Sequence, residues 1–253
     1  MRIVLIGSGN VATHMGNALF EAGHKISQVY SRSKENAINL SASIESTGIT
    51  DLNKIDTTAD VYIISVKDDA LAEVVNKVPI VKGLVVHTAG SVGLELLSRF
   101  ENYGVFYPFQ TFTKASKMNF GNVPVLVECN TEKNTEILMN LGHTLSKTVL
   151  KADSQQRLKL HIAAVYSCNF VNLMYNLADE VLTEGGLPFS LLQPLISETA
   201  SKVQKMKPSE TQTGPASRDD QQTIQKHKDI LASNDELSQI YELLTAGILK
   251  RIK

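Results

Sequence analysis

The chain has 253 residues, 43% of them hydrophobic and 20% charged, a balance usual for a globular protein with an ample core. A formal net charge of −1 gives no electrostatic reason to bind nucleic acid or an anionic membrane, and neither is expected as a partner. The two cysteines, Cys129 and Cys168, stand far apart and no secretion signal is recognisable, which predicts reduced thiols, no metal site and a cytoplasmic protein.

A glycine-rich turn follows the first predicted strand, residues 3–6. A helical pattern comes next, and residues 25–30 give a second strand. In such a unit the pattern Gly-x-Gly-x-x-Ala is typical of a dinucleotide-binding turn, a plain bend being the alternative interpretation. The first glycine permits the tight turn, the second lets the backbone approach a pyrophosphate, and the alanine lets the helix pack closely on the strand. The predicted cofactor contacts here are Gly7, Ser8, Gly9, Asn10, Val11 and Ala12.

The residues after the second strand favour NADP over NAD. Enzymes that prefer NAD usually place an acidic residue there, which accepts a hydrogen bond from the ribose 2′-hydroxyl. This chain instead has Ser31-Arg32-Ser33-Lys34, with no acid. Arg32 is suited to pair with a 2′-phosphate, and Ser31 and Ser33 to donate to its oxygens. The alternative is that Arg32 and Lys34 are ordinary solvated surface charges.

Further predicted strands alternate with helical patterns, at residues 61–66, 83–87, 105–107 and 123–128. The alternation predicts a Rossmann-like, doubly wound, mostly parallel α/β sheet, in which ligands bind beyond the carboxyl ends of the strands. We therefore expect Val66, Lys67 and Thr88 to border the nicotinamide half of the cofactor and Gln110 to face the substrate. His87 is interpreted either as a substrate contact or as a buried, capping imidazole.

Near Ala152 the strand patterns give way to helical ones. This change predicts a Rossmann-like domain at residues 1–152 and a helical domain at residues 153–253. A long helix is predicted to run to residue 184, and the last helix to begin at a Ser233 cap. The long helix is apolar on most sides, but the histidine and asparagines within it argue against a membrane span.

One stripe of the long helix carries polar side chains. At 100° per residue, Arg157, His161, Cys168 and Asn172 fall within a narrow arc, and Asn169 lies at its edge. Because buried amides and imidazoles need hydrogen-bond partners, the stripe requires a neighbour. It is either a structural seam against another helix or subunit, or a substrate wall with His161 as proton donor, Asn169 as orienting group and Asn172 as a further contact.

A turn lies between the later helices, at Thr213-Gly214-Pro215. One interpretation is an ordinary surface loop. The other is a segment that closes over the site and places Thr213 against the substrate, since functional residues often lie on loops.

These motifs resemble a family classed as NADP oxidoreductases, in which a Rossmann-like domain precedes a helical domain of unknown function. The matching segments run through nearly the whole chain, at residues 7–12, 65–70, 87–91, 107–110, 161–170 and 213–219. More distantly, the chain is similar to the superfamily of 6-phosphogluconate dehydrogenase and pyrroline-5-carboxylate reductase. That resemblance implies a substrate site on the first long helix, which favours His161 and Asn169, and a homodimer formed through the helical domain.

The chain also departs from specific members of that superfamily. The hydroxyacid dehydrogenases use a Lys-x-x-x-Asn pair where this chain has Lys159 and Ala163, and prephenate dehydrogenases carry His-Pro in place of Tyr107-Pro108. We therefore predict only an NADP-dependent oxidoreductase that transfers a hydride between nicotinamide and a small carbonyl, imine or hydroxy substrate. The alternatives are a non-catalytic, NADP(H)-binding redox sensor and a reductase of a deazaflavin coenzyme.

Overall fold

The computed structural model describes residues 1–113 and 118–252. The chain divides into two compact units, Met1–Cys168 and Asn169–Lys253, called here the first and the second unit. The first unit contains the sheet and the helices that cover it, and the second unit is helical. The boundary predicted near Ala152 coincides with the end of the sheet, and as a division between functional domains it stays a prediction.

The first unit is built on an eight-stranded sheet in the order β3-β2-β1-β4-β5-β6-β7-β8. Neighbouring strands are parallel except β6 and β7, which are antiparallel. This arrangement confirms the predicted Rossmann-like, mostly parallel α/β fold. The strands are β1 (Arg2–Ile6), β2 (Lys25–Tyr30), β3 (Thr47–Ile49), β4 (Val61–Ile64), β5 (Leu84–His87), β6 (Tyr103–Pro108), β7 (Val125–Cys129) and β8 (Val149–Lys151).

Helices cover both faces of this sheet, and a further group of helices makes up the second unit. Among the described residues, no helix is both long and apolar enough to cross a membrane. The helices are α1 (Asn10–Glu21), α2 (Lys34–Ser43), α3 (Asp68–Lys77), α4 (Glu132–Leu145), α5 (Ser154–Ala164), α6 (Phe170–Glu184), α7 (Gln193–Lys205), α8 (Pro208–Thr211), α9 (Gln221–Leu231) and α10 (Asp235–Ile252).

The central strands are apolar on both faces because helices cover both faces of the sheet. Ile3 and Leu5 of β1 point into one core cluster, whereas Val4 and Ile6 point into the other, and all four side chains are completely buried. This is the reason that a continuous apolar run, rather than an alternating one, marks the first strand. The sheet is therefore a rigid platform, and its carboxyl edge is the place where ligand-binding loops are held in position.

The predicted long helix is interrupted by a π-helical turn, Val165–Asn169, between α5 and α6. A π-helix has more residues per turn than an α-helix, so a constant 100° per residue does not hold through this segment. The polar stripe predicted from His161 to Asn172 is therefore not a consequence of helical geometry.

The cap predicted at Ser233 is wrong, because Asn234 caps α10 by accepting the N–H of Leu237 at 3.1 Å.

Candidate active site

The glycine-rich turn joins β1 to α1 at the carboxyl edge of the sheet. Gly7 has φ of +130°, and its N–H donates to the carbonyl of Tyr30 at 2.8 Å. A side chain at Gly7 would overlap the carbonyl group of Ser65, so both the conformation and the close approach require glycine. At Gly9, by contrast, a Cβ would have open space around it. The space above Gly9 and the first N–H groups of α1 is thus available to an anionic group.

The carboxyl end of β2 brings the predicted 2′-phosphate residues next to this turn. The Ser8 hydroxyl donates to the hydroxyl of Ser31 at 2.8 Å, and Ser31 is buried. The hydroxyl of Ser33 caps α2 by accepting the N–H of Asn36 at 3.3 Å. Arg32 is exposed and lines the cleft, and no carboxylate pairs with it among the ion pairs of the described residues.

The loops after β4 and β5 are tied to each other beside the turn. Thr88 donates its hydroxyl hydrogen to Ser65 at 3.2 Å, and the hydroxyl of Ser91 donates to the carboxylate of Asp68. Asp68 begins α3, where a carboxylate is favoured by the positive end of the helix dipole. These two hydrogen bonds hold the strand ends together as one wall of the cleft.

His87 lies beneath this wall and does not line the cleft. Its ring is completely buried, its Nδ1 accepts the N–H of Ala89 at 3.2 Å, and its Nε2 lies 3.3 Å from the carbonyl oxygen of Gly93. Because desolvation by burial disfavours the imidazolium, the pKa of His87 is lowered to about 4, despite the hydrogen bond to Gly93. At neutral pH the ring is therefore uncharged, and it braces the loop that carries Thr88 and Gly90.

Three groups from different elements meet at one point of the cleft. The hydroxyl of Tyr107, at the carboxyl end of β6, lies 3.4 Å from Nδ1 of His161 on α5. A Cβ at Gly90, in the loop after β5, would lie 2.7 Å from the Tyr107 oxygen and 3.1 Å from His161 Nδ1. The phenol and the imidazole therefore meet over a backbone segment that has no side chain. Burial raises the pKa of Tyr107, so the phenol keeps its proton at neutral pH.

A buried ion pair positions α5 against the sheet. Arg157 is completely buried, and its guanidinium donates to the carboxylate of Glu128 on β7 and to the carbonyl of Val92 at 2.6 Å. The hydroxyl of Ser154 donates to the same carboxylate at 2.8 Å and accepts the N–H of Leu94 at 3.2 Å. Arg157 thus binds the sheet and the loop after β5, rather than another helix or a subunit, and it does not line the cleft.

The antiparallel pairing of β6 with β7 determines where α5 starts. Glu128 lies opposite Val105, and Leu126 lies opposite Tyr107, so β7 runs away from the carboxyl end of β6. Strand β8 is parallel to β7, and α5 therefore begins at the far edge of the sheet and returns toward the cleft. Four residues of α5 rise by about 6 Å along the helix axis, and two residues of β6 span about 6.6 Å, so the two distances match.

These elements enclose a cleft of about 850 Å³, which lies within the range of roughly 300–1,000 Å³ usual for ligand sites. Eleven of the twelve predicted cofactor residues line it, and Ala12 is buried beneath the turn, where it packs α1 on the sheet. Gln110 and His161 line the same cleft. Asn169, Asn172 and Thr213 belong to the second unit, and their assignment to the substrate site stays a prediction.

Several lining residues were not among the predicted site residues. Tyr107 was placed at a strand end by the sequence, but its contact with His161 joins residues 54 positions apart and leaves no local signal. Asp68 follows a predicted strand and begins a helix. This position at the carboxyl edge of the sheet was the only signal in the sequence that Asp68 could line the cleft. The other unpredicted lining residues are Tyr30, Asn36, Ser65, Ala70, Val74, Ala89, Gly90 and Phe112.

Comparison with known protein families gives matches to both halves of the chain. The model of the Rossmann-like domain matches residues 1–109, and the model of DUF2520, a domain of unknown function, matches residues 123–248. No curated protein matches the chain.

Among solved structures, a Bacteroides fragilis protein described as a "putative NADP oxidoreductase" is 42% identical, with 98% of each chain covered and a TM-score of 0.89. A Thermotoga maritima protein is 20% identical, with 99% of this chain and 98% of that one covered and a TM-score of 0.78. An imine reductase from Myxococcus stipitatus, solved in complex with NADP⁺, is 13% identical, with coverages of 100% and 94% and a TM-score of 0.68. The last two similarities show a shared fold.

Proposed function

We propose a function on the premise that the chain belongs to the family that joins a Rossmann-like domain to the domain of unknown function DUF2520. The function is that of an NADP-dependent oxidoreductase, which transfers a hydride between nicotinamide and a small carbonyl, imine or hydroxy compound. One observation carries the proposal: the glycine turn, Arg32 and His161 all line a single cleft at the carboxyl edge of the sheet. Cofactor-binding groups and a proton-exchanging group are therefore near each other.

The residues of the cleft fit a dinucleotide phosphate. Gly9 has open space where a pyrophosphate would approach, and the first N–H groups of α1 can donate to it. Arg32, with no carboxylate partner among the described residues, is available to pair with a 2′-phosphate. Val66, Lys67 and Thr88 would border the nicotinamide ring. When bound as NADPH, the cofactor supplies a hydride.

The remaining residues of the cleft would act on the substrate. His161 supplies or removes the proton that balances the hydride, because an imidazole can exchange a proton near neutral pH. Gln110 is exposed in the cleft and can orient a carbonyl or imine by a hydrogen bond. Asn169, Asn172 and Thr213 are proposed as further contacts from the second unit. His87 acts indirectly, by bracing the loop that carries Thr88.

We also propose a homodimer formed through the helical domain. Several helices of the second unit carry large apolar side chains that are exposed, among them Leu195 at 63%, Val203 at 46% and Leu243 at 74%. Large exposed apolar side chains such as these, on α7 and α10, support an interface with a second copy of the chain. Light scattering on the purified chain should give twice the mass of 27.7 kDa.

The cofactor is tested by titrating the purified chain with NADPH and NADH while following nicotinamide fluorescence. Tight binding of NADPH with weak binding of NADH is the expected result. Equal affinities would contradict the 2′-phosphate site, and no binding of either would overturn the proposed function.

Turnover is then tested with pyrroline, a small cyclic imine, and cyclohexanone, a small ketone, by the loss of NADPH absorbance. His161→Ala should abolish turnover and leave the affinity for NADPH nearly unchanged, whereas His143→Ala, at an exposed position of α4, should behave as the wild type. Full turnover in His161→Ala would remove the proposed role of that residue. A wild type that binds NADPH but reduces neither probe would favour the redox sensor.

A further inference from the structure

We propose that Tyr107 is the group that hands the proton to the substrate, and that His161 acts through it by restoring that proton. The inference rests on the proposed function, and it assigns the donating atom within the same cleft. It is carried by the contact between the Tyr107 hydroxyl and His161 Nδ1, at 3.4 Å, together with the place of both residues in the lining of the cleft.

The contact limits what His161 can do with a proton on Nδ1. In an imidazolium both ring nitrogens carry a hydrogen, and the one on Nδ1 points toward a neighbouring acceptor. Here that neighbour is the phenolic oxygen of Tyr107. A proton that leaves Nδ1 therefore passes to the tyrosine and not directly to a substrate atom. The imidazole thus serves as the proton source for the phenol.

Gly90 lets the loop after β5 pass close to the phenol within the lining of the cleft. The loop after β5 passes so close that a Cβ at Gly90 would lie 2.7 Å from the Tyr107 oxygen, shorter than a van der Waals contact. Thr88, Ala89 and Gly90 also line the cleft, and they form its wall next to the predicted nicotinamide contacts. A side chain at Gly90 would therefore overlap the oxygen of Tyr107, and glycine is needed for the phenol to keep its place in the lining of the cleft.

The environment of Tyr107 suits a proton donor. The ring is half-buried and makes an edge-to-face contact with Phe109, with 6.0 Å between ring centroids, so its position is fixed by packing. Burial raises the pKa of the phenol, and the negative charge of Asp68 adds to this effect. The hydroxyl therefore remains protonated until a stronger base is presented, as when a reduced oxygen or nitrogen atom gains charge.

The proton and electron balance of the reduction is as follows. The carbon of the C=O or C=N group takes up a hydride, with its two electrons, from NADPH, which becomes NADP⁺. The π bond opens, and the oxygen or nitrogen atom takes the proton from Tyr107 Oη. Protonated His161 passes its Nδ1 proton to Oη, so that both residues end neutral and one proton is later taken from solvent.

The activity test compares Tyr107→Phe with the wild type, using NADPH with pyrroline and with cyclohexanone. Loss of the hydroxyl should lower kcat on the order of 100- to 10,000-fold, the usual contribution of a positioned acid, while the Kd of NADPH changes less than about threefold. Tyr103→Phe makes the same change on the same strand away from the cleft and should retain wild-type kcat. A kcat of Tyr107→Phe within about threefold of the wild type would overturn the assignment.

A second test does not depend on turnover. The ring protons of His161 are followed by NMR during a pH titration of the wild type and of Tyr107→Phe. A hydrogen bond between the two residues predicts a changed titration midpoint in the variant, and an unchanged midpoint would overturn the pair even in an active enzyme. Gly90→Ala should displace the phenol and lower kcat as well. A wild type that binds no NADPH would instead overturn the proposed function, a separate result.

Discussion

The guanidinium of Arg157 on α5 donates to the carboxylate of Glu128 on β7, with the arginine completely buried and the glutamate side chain 18% exposed. The pair connects the helix that carries His161 to the sheet that carries Tyr107. Because Arg157 also donates to the carbonyl of Val92, it fixes the loop after β5 as well. One buried cation thus holds the elements on which the cleft is built.

Removing Arg157 should therefore destabilise the protein strongly. We expect Arg157→Ala to lower the free energy of unfolding by about 3–5 kcal/mol, because it leaves the Glu128 carboxylate without its charged partner in a poorly solvated place. Lys151→Ala is the matched control, since it breaks the Lys151–Glu132 pair, whose side chains are 57% and 70% exposed. It should cost less than about 1 kcal/mol. Urea denaturation measures the free energy of unfolding of both variants. Equal losses in the two would contradict the stronger effect expected of the buried pair.

The buried imidazole of His87 should make stability depend on pH. Its pKa is about 4 in the folded chain and near the usual 6.5 in the unfolded chain, so the unfolded state binds the proton first as the pH falls. The contribution of His87 to the free energy of unfolding is complete above pH 6.5. It is lost as the pH falls from 6.5 to about 4, at up to about 1.4 kcal/mol per pH unit. Urea titrations at several pH values give the free energy of unfolding as a function of pH. This free energy should change less steeply with pH for His87→Gln than for the wild type. Identical slopes would mean that His87 is not neutral in the fold.

The two glycines of the turn should respond in opposite ways to alanine. Gly7→Ala combines a positive φ with an overlap on the Ser65 carbonyl, so it should cost at least about 3 kcal/mol of stability. Gly9→Ala meets open space and should leave the unfolding free energy within about 0.5 kcal/mol of the wild type. Its methyl group would nevertheless occupy the approach of a pyrophosphate, so the affinity for NADPH should fall. A stable Gly9→Ala variant with unchanged affinity would place the cofactor elsewhere.

The preference between cofactors should depend on Arg32. A hydrogen bond between charged groups contributes about 1.5–3 kcal/mol, so Arg32→Ala should weaken NADPH binding by roughly 10- to 100-fold and NADH binding little. Lys34→Ala removes the same charge at an exposed position that does not line the cleft, and it should have a small effect on both. Fluorescence titration of the three proteins measures the affinities. Equal losses of the two cofactors in Arg32→Ala would remove the argument for a 2′-phosphate contact.

Features with a local cause were predictable from the sequence. The turn at Gly7 and Gly9 could be predicted because a positive φ, a close backbone approach and a helix start all select residues within a few positions. The strand Lys25–Tyr30 likewise has the predicted bounds. Strand β3, with only three residues, and strand β8, also with three, escaped prediction because so short a segment contains no period to detect.

Features with a distant cause were not predictable in this way. The prediction of the polar stripe used one constant rotation per residue. The π-helical turn Val165–Asn169 does not follow that rotation, and no residue pattern in the sequence indicates the turn. Similarly, His161 could be selected as a chemical group, but its partner Tyr107 follows only from the return of α5 along β6. The chemistry of a site was accessible from residue types, whereas the pairing of its members required the topology.

The return of α5 also has a consequence for how related chains can diverge. The ion pair anchors α5 at Arg157, and His161 follows four positions later, next to Tyr107. One residue inserted between them would leave the ion pair intact but rotate the imidazole by about 100°. Evolution can therefore exchange side chains along this segment and lengthen the loops at either end, but it cannot change the number of residues in it without dismantling the site.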